Sequence, residues 1–104
     1  MLLSTAETIP GKNYYVLGLV KGTVVQSKNV VRDVFANLKT IVGGEIKGYT
    51  EMMTEARNIA TKRMTAEAEA LGADAVVMVR YTSSGIMQNA AEILAYGTAV
   101  KFYD

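Results

Sequence analysis

From Tyr14 to Val25 the chain alternates with a period of two, rich in tyrosine, valine, leucine and threonine, with Gly18 and Gly22 on one side of the alternation. This reads as a strand. Ser27 or Asn29 then caps a helix whose apolar positions Val30, Val31, Val34, Phe35, Leu38, Ile41 and Val42 recur at spacings of three and four. Gly43-Gly44 ends it. Thr50 is the expected cap of a second helix, with Glu51 in its first turn and an alanine-rich stripe of Met53, Ala56, Ala60, Met64, Ala68 and Leu71. Gly72 stops that helix ahead of a strand from Ala75 to Thr82. Ser83-Ser84-Gly85 reads as a turn, and a last strand from Ala91 to Tyr103 sets Ala95, Gly97 and Ala99 against Leu94, Tyr96, Val100 and Phe102.

The resulting order, β-α-α-β-β, predicts an α+β fold: a two-layer α/β sandwich on a three-stranded antiparallel sheet of order 1-3-2. Gly18, Gly22, Ala95, Gly97 and Ala99 would give the alanine-rich helix a smooth sheet face. Leu17, Leu19, Leu94, Tyr96, Val100 and Phe102 would occupy the opposite face, a large apolar surface for a two-layer domain. The apolar segment Met1 to Ile9 is long enough to add a short strand to a neighbouring chain.

With 104 residues, 50% of them hydrophobic, the chain is expected to form one compact domain. A domain of this size buries only about two-thirds of its unfolded surface, so apolar area is expected to be covered by other copies. The net charge of +1 gives no field that draws nucleic acid or anionic lipid. The longest apolar run, Ala75 to Val79, is far too short to span a bilayer. An early Glu7 argues against a signal peptide, and without cysteine there is no disulfide framework, so the expectation is a cytoplasmic protein with neither nucleic-acid nor membrane partners.

Histidine and cysteine are both absent, which removes the usual general base, the thiol nucleophile and the ligands zinc prefers. No nucleophile elbow, Walker loop or dinucleotide fingerprint is present. The expectation is a protein that is not an enzyme and carries no cofactor. The six methionines read as core filler, and Glu51 and Glu55, four apart on a helix, would hold a hard cation weakly at most. Lys28, Arg32 and Lys39 line one side of the first helix and read as its solvated face.

Taken in order and at these spacings, Asn29-x-x-x-Asp33-x-Phe35, Ile41-Val42-Gly43-Gly44, Tyr49, Leu71-Gly72-Ala73-Asp74-Ala75-Val76-Val77 and Gly97-Thr98-Ala99-Val100 resemble the YbjQ-like family across nearly the whole chain. The resemblance implies a single domain over residues 1–104, similar to a dodecin subunit and assembled as a ring-shaped homopentamer. It also implies an association with heavy-metal binding, which in this chain would have to use oxygen ligands. Asn29, Asp33, Tyr49 and Asp74 match family motif positions and are the candidate contacts to a small ligand of unknown identity. Read as residues alone, the same positions are caps and turn formers, with Asp74 closing a helix-to-strand turn.

Overall fold

The computed structural model describes residues 1–27, 47–87 and 90–104. Four strands, β1 (Leu2–Leu3), β2 (Asn13–Ser27), β3 (Ala75–Met87) and β4 (Ala90–Tyr103), form one sheet with the helix α1 (Lys47–Ala70) on one face. The expected first helix, with Asn29, Asp33 and the basic residues Lys28, Arg32 and Lys39, lies outside the described residues.

The sheet order is β1-β3-β4-β2. β4 runs antiparallel to both long neighbours, whereas β1 joins β3 in parallel, so the sheet is four-stranded and mixed rather than three-stranded and antiparallel. The extra strand is the apolar N-terminal segment, which docks on its own chain instead of waiting for a neighbour. A turn at Ile9-Pro10-Gly11-Lys12 folds it back: Lys12 N–H donates to the Ile9 carbonyl at 3.1 Å, and Gly11 takes φ 78°. Proline followed by a residue of positive φ suits a type II turn.

α1 begins at least three residues earlier than expected. Thr50 therefore sits inside the first turn rather than capping it, Gly48 is helical, and the first turn holds no acidic residue. The buried stripe is Met52, Ala56, Ala60, Met64 and Ala68; Leu71, past the last turn, is exposed. Small side chains at a spacing of four let the helix lie close on β2 and β4. It ends where Gly72, at φ 79°, donates to the Glu69 carbonyl at 2.9 Å and Ala73 donates to the Ala68 carbonyl at 3.1 Å. This paired closure of the last carbonyls is a Schellman cap.

Two bulges bend the sheet, and the first corrects the expected face of Leu17. The register slips between Val16 and Gly18, which turns Leu17 onto the helix side, where it packs on the main core. A second slip lies between Val77 and Arg80, with Met78 at φ 55°. There Met78 and Val79 turn their N–H groups to the carbonyls of Ala6 (3.2 Å) and Ser4 (2.9 Å), so the N-terminal segment satisfies the backbone that the bulge takes out of the ladder. The same segment brings Ile9 over Ala75, Val77 and Val100, forming a second small core with Tyr14 and Phe102. Val100 is consequently buried rather than part of an open face.

Ser83-Ser84-Gly85 does not turn the chain. These residues stay in β3 opposite Ile93, Glu92 and Ala91. Glycine and serine usually mark turns, but here the continuous ladder overrides their local preference. Among the glycines expected under the helix, Gly22 is there: a Cβ at this position would lie 2.1 Å from the Ala60 carbonyl oxygen. Gly18 meets nothing, since it sits at the bulge, and Gly97 faces Val76 and the backbone of β3 instead.

Candidate functional site

Of the four candidate ligand residues, Asn29 and Asp33 lie outside the described residues. Tyr49 stands in the first turn of α1 and Asp74 just beyond its last. At about 1.5 Å of rise per residue, roughly 30 Å of helix separates those two, so within one chain they do not share a site.

Asp74 is occupied structurally. Its carboxylate accepts the Phe102 N–H at 2.8 Å and the Lys101 ammonium at 3.5 Å, while its own N–H donates to the Val100 carbonyl at 2.9 Å. The bond from Phe102 holds the carboxyl below its ordinary value of 3.8, with Lys101 adding to the effect and partial desolvation opposing it. Asp74 therefore fastens the turn after α1 onto β4. Glu51 and Glu55 are both exposed on the helix surface, and among the described residues no three acidic side chains converge on a point that could hold a metal.

The surface with the most capacity for contact is the sheet face away from α1. Cross-strand register places Lys21, Tyr96 and Arg80 in one row, with Leu19 opposite Thr98 on one side and Leu94 between Thr23 and Thr82 on the other. Leu19 is 69% exposed, and with Lys21, Leu94 and Tyr96 it lines a shallow hollow of about 210 Å³. Strand parity alone places Leu19, Leu94 and Tyr96 here. Arg80 turns back to donate to the carbonyls of Thr5 and Val79 at 3.0 and 2.9 Å, which leaves Lys21 as the cation beside the hollow. Among the described residues such a surface offers apolar contact, the Lys21 ammonium and, two residues along β4 from Leu94, the Glu92 carboxylate.

A second hollow, of about 320 Å³, opens where the start of β2 meets the chain's end, between Gly11-Lys12-Asn13 and Phe102-Tyr103-Asp104. Lys12 lies 5.3 Å above the Phe102 ring, and Tyr15 stacks on Tyr103 at 6.1 Å. No motif marks this place. It arises from the pairing of Asn13 with Tyr103 across two segments distant in sequence.

The sequence profile of the YbjQ family, described as "Putative heavy-metal-binding", matches residues 1–103. The chain belongs to this family. Relatives in it include a UPF0145 protein of Thermotoga maritima, 63% identical over 97% of this chain and 96% of its own length, and one of Vibrio campbellii, 62% identical over 97% and 98%. Among solved structures, a protein of unknown function from the DUF74 family of Pediococcus pentosaceus superposes with a TM-score of 0.70 at 14% identity, covering 99% of this chain and 98% of that one. That likeness concerns the fold alone. As a YbjQ family member the chain is a small α+β domain with one described helix on a mixed sheet, and no described helix is long and apolar enough to cross a membrane.

Proposed function

We propose that this YbjQ family chain is a non-catalytic building block: a subunit of a cytoplasmic homo-oligomeric ring that acts as a binding or scaffold protein. The observation that carries the reading is an uncovered apolar sheet face: on the side of the sheet away from α1, Leu19 is 69% and Tyr96 37% exposed, and a second copy of the chain would cover them. The number five comes from the family resemblance, not from the geometry. The absence of histidine and cysteine supports the non-catalytic part.

The family description favours a second reading, an ion-binding protein. Its ligands would be oxygens, with Glu51 and Glu55 the free carboxylates on one helix face and Asp74 already held by Phe102 and Lys101. Calorimetric titration of the metal-free protein with zinc, copper and cadmium separates the two. The scaffold reading predicts no tight uptake of any of them, since neither thiolate nor imidazole is available. Stoichiometric submicromolar binding would replace it with the ion-binding reading.

A further inference from the structure

Among the described residues β2 is an edge strand, 15 residues long and carrying the exposed apolar side chains Val16, Leu19 and Val25. A long edge of this kind is a template for pairing with another chain, and folded proteins protect such edges by identifiable means. Here two charged side chains of α1 reach the backbone of β2 rather than its side chains. Glu67 Oε1 accepts the Lys21 N–H at 3.2 Å, and the Arg63 guanidinium donates to the Thr23 carbonyl. The acceptor thus meets a strand donor and the donor meets a strand acceptor, as an added strand would meet them.

Gly22 makes this reach possible. It lies between the two bonded residues, and the helix backbone sits where its Cβ would be, with the Ala60 carbonyl oxygen, the Met64 nitrogen and Arg63 Cβ all under 3 Å from that point. Arg63 and Glu67, one turn apart on α1, are brought near enough to span the strand from Lys21 to Thr23. Hydrogen bonds from charged side chains to backbone are among the stronger ones, so an incoming strand would have to displace both.

We propose that Arg63 and Glu67 form a clamp that closes the outer edge of β2 to strand addition by further copies of this chain. The test compares Arg63→Ala/Glu67→Ala and the charge reversal Glu67→Lys with the wild type and with Lys62→Ala/Glu69→Ala, a control on exposed helix positions. Circular dichroism establishes that each variant is folded. Sedimentation velocity across a concentration series should show the clamp variants growing into species larger than the wild-type assembly, with the control unchanged. Hydrogen exchange at the Lys21 amide should rise at least tenfold in Glu67→Ala and return toward the wild-type rate in Glu67→Gln, which keeps an acceptor oxygen. A folded clamp variant with the wild-type size distribution at every concentration overturns the proposal, whatever its exchange rate. Because size is read relative to the wild type, a monomeric wild type would refute the ring without touching the clamp.

Discussion

Gly22 and Gly85 both lie in strands, yet only one has a neighbour where a side chain would go. A Cβ at Gly22 collides with helix backbone, which cannot swing aside, whereas Gly85 has nothing within 4 Å. Gly22→Ala should therefore cost about 1–3 kcal/mol as an overpacking change, lowering Tm by at least about 4 °C, with Gly85→Ala nearly neutral. Equal melting temperatures would place the helix elsewhere. Gly97→Val should likewise be worse than Thr98→Val, but through Val76 and the β3 backbone, which it would strike, rather than through the helix. The folded-state pKa of Asp74 lies below the ordinary 3.8, so its contribution is fully present above that value and is lost as pH falls through the lower, folded one. Chemical denaturation at a series of acidic pH values should show Asp74→Asn less stable than the wild type at neutral pH and the gap closing below about pH 4. A gap that stays constant would mean that the Phe102 and Lys101 contacts do not favour the charged form.

At the scale of elements, what the sequence makes legible is what depends on side-chain period. The stripe from Ala56 to Ala68, the strands around Val20, Val77 and Ala95, and the stop at Gly72 follow from spacing and one glycine. What it hides depends on backbone geometry or distant pairing. A single bulge after Val16 reverses the face of Leu17, and no composition rule announces it. Ser83-Ser84-Gly85 has turn composition but is held extended by β4. The role of Asp74 as a turn fastener is readable from its place after the helix, whereas the clamp of Arg63 and Glu67 is not: their spacing of four says only that they share a helix face. The N-terminal segment is the element whose value is easiest to measure. Deleting residues 1–8 removes β1 and uncovers the Met78 and Val79 N–H groups at the bulge. Faster hydrogen exchange is expected at both amides, with a loss of stability of at least about 2 kcal/mol from the combined loss of hydrogen bonds and apolar cover. Unchanged protection would show that the bulge is satisfied by other means.

At the scale of the whole molecule, length and shape set the problem. A sheet whose three long strands run 15, 13 and 14 residues cannot have both its faces buried by one described helix. Closed rotational symmetry allows one repeated contact to cover the remaining surface without propagating into fibres, and the clamp on β2 acts to the same end at the edge. If the open sheet face is the contact, Leu19→Glu should shift the assembly toward smaller species, because it places a charge in a surface that must lose its water. Retention of full size in that variant would move the contact to another face. Native mass spectrometry of the protein as purified bears most directly on the account. It should show a closed pentamer, and any additional mass retained per subunit or per ring would identify what the scaffold binds; a stable monomer at micromolar concentration would contradict it.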